Sequence, residues 1–167
     1  MLRFTLACVL ALSAGCGAAT ELDDFSDPST DGGVDVVTTR PTSGTLLIYQ
    51  SGRTDADGLV WARPFSCGEF TTDERFLYEV VELENTTPFD LRVEVLAEWD
   101  FDGFLHAYTS FDPSAPNAGC IDANDDFDGT ASSRLVLDWP SGVTLDMVLS
   151  SYSAGSAGNY ELFVTVL

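Results

Sequence analysis

From residue 44 onwards the apolar positions recur every second residue and almost never every third or fourth. Val143-Thr-Leu145-Asp-Met147-Val-Leu149-Ser shows the alternation most clearly, and Leu91-Arg-Val93-Glu-Val95-Leu-Ala97-Glu and Tyr160-Glu-Leu162-Phe-Val164-Thr-Val166 repeat it. Successive side chains of a strand point to opposite faces, so each segment offers one face to a core and the other towards water. The same reading predicts strands near 45–50, 59–62, 75–84, 103–109 and 133–139. Within 75–84 the apolar set slips from Phe76, Tyr78 and Val80 to Val81 and Leu83, which predicts a bulge. Asp57-Gly58, Asn85-Thr-Thr-Pro88, Asp128-Gly129, Pro140-Ser-Gly142 and the 153–158 stretch supply turn chemistry between the strands, the last of them as a hairpin turn. About eight short strands without a helical window predict an all-β chain, an antiparallel β-sandwich over residues 44–167.

The first 43 residues follow another pattern. Met1-Leu-Arg3 gives a positive start, and Phe4 to Leu12 is an apolar run too short to span a bilayer but suited to a secretory signal peptide. Leu12-Ser-Ala-Gly-Cys16 resembles the lipobox of bacterial lipoproteins, with Leu one place further from the cysteine than usual. That resemblance implies a signal peptide of residues 1–15, lipidation of Cys16 and a membrane held through the lipid. An ordinary signal peptide cut near Ala18-Ala19 is the alternative. Residues 16–43 are rich in acids, Gly, Ser, Thr and Pro and bury too little apolar surface to order themselves, so they read as a flexible acidic tether. Gly17 after the cysteine resembles the sorting signal of outer-membrane lipoproteins, which implies a protein exported and anchored in the cell envelope.

Charge narrows the partners. The chain of 167 residues carries 27 acids against seven basic residues, all of them arginines, for a net charge of −20. Six of the acids precede residue 44, and residues 44–167 alone keep a net −16. Such a surface repels a phosphate backbone, which excludes nucleic acid as a partner, and without lysine there is neither a P-loop lysine nor a Schiff base. Cations are the natural counterpart.

Cys67 and Cys120 are the cysteines left to the folded domain, and in an exported chain they are expected to pair; two separate buried thiols are the alternative. No CxxC pair supports a zinc site.

The run Trp99-Asp-Phe-Asp-Gly103-Phe-Leu-His-Ala-Tyr108, followed by Phe111-Asp-Pro113, Ala123-Asn-Asp-Asp126, Ser133-Arg134, Gly142-Val-Thr and Gly155-Ser-Ala-Gly158-Asn-Tyr160, resembles the bacterial pre-peptidase C-terminal type of domain. The upstream Asp57-Gly-Leu-Val-Trp-Ala-Arg-Pro64 is similar to the start of that module. The resemblance implies a jelly-roll-like β-sandwich that is not itself catalytic and is associated with substrate or matrix binding, secretion and sometimes calcium.

His106 is the only histidine and aligns with Phe104 and Tyr108 in a strand pattern, a place for packing and not for a catalytic triad. Ala154-Gly-Ser-Ala-Gly158 is not a nucleophile elbow, because the first glycine is missing and no helix follows. No constellation marks an enzyme. The acids, by contrast, cluster: residues 122–128 hold four Asp and one Asn, and from Asn124 the spacing is N-x-D-x-D-G, the opening half of a calcium loop. Asp102 of Asp100-Phe-Asp102-Gly103 is the expected outside contributor, so the candidate Ca2+ ligands are Asp102, Asp122, Asn124, Asp125, Asp126 and Asp128, with Asp55 and Asp57 a weaker pair. Trp61, Trp99, Trp139, Tyr49, Tyr108 and Tyr152 raise a rival, a stacking platform for sugars. The sequence thus reads as a non-catalytic envelope lipoprotein with a calcium-stabilised binding or structural module, facing an envelope protein or polysaccharide. The alternative is a carbohydrate-binding module using exposed aromatics.

Overall fold

A computed structural model describes residues 39–55, 58–69 and 73–167. The signal peptide, Cys16, the tether up to residue 38, and Asp57 lie outside the described residues. Nine strands follow one another without a helix among the described residues: β1 (Leu46–Arg53), β2 (Leu59–Trp61), β3 (Phe76–Glu84), β4 (Leu91–Trp99), β5 (Gly103–Tyr108), β6 (Cys120–Asn124), β7 (Ser133–Trp139), β8 (Thr144–Ser151) and β9 (Asn159–Val166). They form a four-stranded sheet in the order β1-β9-β4-β7 and a five-stranded sheet in the order β2-β3-β8-β5-β6, and every pairing is antiparallel. With β2 set aside as an added edge strand, these are the two sheets of a jelly roll. The expected sandwich is therefore present.

The main core lies between the sheets. Val93, Val95 and Ala97 of β4, Leu162 and Val164 of β9, and Leu105, Ala107, Met147 and Leu149 of the facing sheet are all excluded from water. These are the alternating apolar positions of the sequence, and their burial is the driving force of the fold.

Two local expectations change. No bulge interrupts β3, which pairs with β8 in unbroken register from Tyr78 opposite Ser150 to Glu84 opposite Thr144. The apolar set slips because both faces of the strand are covered: Val81 and Leu83 enter the main core, whereas Phe76 and Tyr78 join a second cluster on the outer face with Trp61, Tyr108 and Val148. Residues 122–124, expected to begin a calcium loop, belong to the edge strand β6, and the loop starts only at Asp125. The 152–158 segment is not a hairpin either, since β8 and β9 belong to different sheets and the segment arches between them.

The cover over the outer face of the five-stranded sheet is the segment after β2. It carries Arg63 and Pro64 over β5 and is joined to the start of β6 by a Cys67–Cys120 disulfide, the expected pairing. All six residues of β5 are consequently buried. Strand directions sort the connections to two ends. The chain joins the sandwich at one end, where Gly44 N donates to Val166 O at 2.7 Å, together with the β3–β4, β5–β6 and β7–β8 connections. The β4–β5, β6–β7 and β8–β9 connections lie at the other.

Candidate functional site

That far end gathers the acidic loops. The β6–β7 connection is a tight turn in which Phe127 bridges Thr130. Asp128 (φ 55°) and Gly129 (φ 72°) both take the left-handed conformation, as the Asp-Gly pair of such a turn requires. The loop is tied down at its base: Ser133 Oγ donates to Asp125 O at 2.6 Å, and Arg134 N donates to Asn124 Oδ1 at 3.0 Å. The β4–β5 connection is fixed by Asp100, whose carboxylate accepts from the backbone N and side-chain Nδ2 of Asn159 at 2.7 and 2.6 Å. The backbone at Asp102 is fixed as well, since Tyr152 N donates to Asp102 O at 2.9 Å.

Asp102, Asp125 and Asp126 come together across these two connections, each offering a carboxylate oxygen within 4.8 Å of the others. Asp125 is the inner member. Its Oδ1 is buried with no hydrogen-bond partner. Burial, and then the charges of Asp126 and Asp102, push its carboxyl up to about 6, with the Arg63 guanidinium opposing more weakly. Three carboxylates so placed repel one another at neutral pH, and a hard cation would relieve both the repulsion and the orphaned oxygen. With oxygen donors and no sulfur or imidazole, the set suits calcium or magnesium and not zinc or copper.

The structure brings together three of the six residues singled out from the sequence. Asn124 is already engaged with Arg134 N, and Asp122 accepts from its neighbour Ala123 N while lying on β6 opposite Ala107. Asp128 sits at the tip of the turn, and Asp55 belongs to the β1–β2 connection. Alternation in an edge strand explains the split, because residues 122 and 124 spend their side chains on β6 and its neighbours.

The aromatic platform loses its best rings. Trp61, Trp139 and Tyr108 are buried and Trp99 is half-buried, with its Nε1 donating to Ser133 Oγ at 3.2 Å; Tyr49 and Tyr152 remain exposed. His106 is fully buried, stacked on Phe104 with centroids 4.7 Å apart, and its Nε2 lies 3.0 Å from Pro64 O. Burial holds its pKa down to about 3, so at neutral pH it is an uncharged packing group out of reach of a substrate.

Sequence reasoning missed Arg63. It is 1% exposed, and its guanidinium lies 3.9 Å from the Phe104 ring centroid and 4.5 Å from that of Phe76, with Phe65 at 5.0 Å. Burial lowers its pKa to about 10, and the charges of Asp125 and Asp102 resist that fall, so it stays cationic at neutral pH. No residue spacing announces an arginine caged by rings from separate strands.

No family model matches the chain, and no curated protein does. Among solved structures, the chain is similar to the crystal structure of Aeromonas hydrophila PliG, a periplasmic lysozyme inhibitor of g-type lysozyme, at 10% identity and a TM-score of 0.35, over 59% of this chain and 92% of that one.

Proposed function

We propose that the chain is a non-catalytic binding or structural module of the cell envelope, of the pre-peptidase C-terminal type, whose sandwich is stabilised by calcium held at Asp102, Asp125 and Asp126. The observation that carries this reading is the meeting of three carboxylates from two connections around an unpartnered, buried Asp125 Oδ1. The carboxylates would hold the ion, and water would complete its shell. The ion's contribution is to tie the β4–β5 connection to the β6–β7 turn and cancel their mutual repulsion.

Address follows from the other end of the molecule. Export, lipidation at Cys16 and a tether from 16 to 43 would attach the sandwich at the end where Gly44 joins it, leaving the acidic loop end turned away from the attachment. The partner would be an envelope protein or polysaccharide. The burial of the chain's only histidine supports the non-catalytic reading. Calorimetric titration of the purified chain with calcium chloride tests the site. Binding that is abolished in Asp125→Asn supports it, and absence of heat for the unaltered chain up to millimolar calcium refutes it.

A further inference from the structure

The outer face of the five-stranded sheet is closed by residues 62–69, a strap that crosses Phe104 and His106 on its way from β2 to Cys67. Under and beside it the packing is rich in rings and poor in hydrogen bonds. Arg63 Nη2 donates to Tyr152 O at 3.2 Å, but Arg63 Nε and Nη1, His106 Nδ1 and Trp61 Nε1 are buried without a partner. These are four of the seven such side-chain atoms among the described residues. A polar group buried without a partner opposes closure, and the faces of Phe104 and Phe76 against the guanidinium offset only part of that. Among the described residues the other polar ties of the strap to the rest of the fold are His106 to Pro64 O, Gly68 N to Asn117 Oδ1 at 3.0 Å, and Asn117 Nδ2 to Glu69 O at 2.8 Å. None of the residues filling the main core belongs to the strap. The one covalent tie is the Cys67–Cys120 disulfide, and both its cysteines are half-buried, within reach of an attacking thiolate.

We propose that this disulfide is a redox-sensitive clasp: reduction by a dithiol releases the 62–69 strap from the outer face while the sandwich stays folded. The step is an ordinary exchange. One thiolate of the reductant attacks a sulfur of the disulfide and displaces the other as a thiolate, which takes up a proton. The second thiol of the reductant then resolves the mixed disulfide, so two electrons and two protons reach the cysteine pair and the reductant leaves as its own disulfide. Opening hydrates Arg63 and uncovers Phe104 and the Pro64 side of His106, part of an aromatic floor that the oxidised protein hides.

Hydrogen exchange read by mass spectrometry on the whole chain, oxidised and after dithiothreitol, tests the clasp, with the Cys67→Ser/Cys120→Ser double variant alongside. Peptides covering 62–69 are expected to exchange at least about tenfold faster after reduction, while β4 and β9 stay protected and exchange at least about 100-fold more slowly than the strap, and the double variant is expected to match the reduced protein. Strap exchange unchanged after complete reduction overturns the proposal. Loss of protection in β4 and β9 together with the strap also overturns it, because the disulfide would then be a staple for the whole domain. A double variant that stays closed does the same.

Discussion

Replacing His106 by Gln should change how stability depends on pH, by an amount that follows from where the ring sits. The imidazole is fully buried, stacked between Phe104 and Tyr108 at 4.7 and 6.1 Å, with the Trp61 ring edge-on at 5.2 Å. Pro64 O can only accept, so Nε2 carries the proton, and Nδ1 is left as a buried acceptor without a donor. A second proton on Nδ1 would place a charge in an apolar layer beside Arg63. Burial first, and that neighbouring charge after it, hold the folded pKa to about 3. In the unfolded chain the ring titrates near its ordinary value, about 6.5. Below that pH the unfolded state binds a proton that the native state refuses, so stability falls as pH drops towards 3. The slope approaches about 1.4 kcal/mol per pH unit, and the loss reaches about 2 kcal/mol by pH 5. Asp125 acts in the opposite sense. Its folded carboxyl is raised to about 6, so its protonation favours the native state as pH falls below that value, and this partly masks the histidine in the unaltered chain. Comparison with His106→Gln removes the mask, because every other group is common to both proteins and Gln keeps an N–H for Pro64 O. Urea unfolding of both chains at pH 7.5 and 5.0 measures the effect. The stability gap between them should shrink by about 2 kcal/mol at the lower pH, whatever its size at the higher. A gap constant to within about 0.5 kcal/mol would mean that the ring is protonated in the native state, and the account of the buried layer would fail.

Three further outcomes are expected. Removal of the disulfide in the double serine variant frees a loop whose ends are 53 residues apart and should lower unfolding stability by up to about 4 kcal/mol in urea; no loss would contradict the pairing. Asn85→Ala should destabilise by about 2–3 kcal/mol, since Asn85 Nδ2 donates to Phe89 O and Trp139 O at 2.9 Å each, and the buried bond to Trp139 O would be lost while Phe89 O keeps only Thr87 Oγ1. Gly103→Ala places a methyl group where the Trp99 indole lies and should cost about 1–3 kcal/mol, seen as a lower urea midpoint with an unchanged slope.

The sandwich was legible because its strands obey period two with one wet face: β4, β8 and β9 lie within a residue or two of where alternation puts them. Alternation stops informing where both faces are covered. Phe76, Tyr78, Val81 and Leu83 read as a slipped register, yet they are two buried faces of one regular strand, and the second face is covered by side chains of other segments, Trp61 and Phe111 among them. Strand β6 was illegible for the opposite reason. At a sheet edge, Cys120–Asn124 buries little, so its acids looked like loop ligands. Asp125 and Asp126 were found because they follow the strand, and Asp102 because its D-x-D-G run ends in Gly103, which packs against Trp99. The Asn85-Thr-Thr sequence, formally a glycosylation signal, is an internal bracket: Asn85 is 2% exposed and Thr87 Oγ1 donates to its Oδ1 at 2.7 Å.

The central claim is that the acidic loop end holds a divalent cation. Thermal unfolding of the purified chain, with chelator and then with 1 mM calcium chloride (a level of order 10 to 100 times a typical loop affinity), tests it most directly. The account predicts that calcium adds about 1.4–2.7 kcal/mol, a rise in Tm of several degrees, and that Asp125→Asn abolishes the rise. A Tm that calcium and chelator leave in the same place, in the unaltered chain, would contradict it.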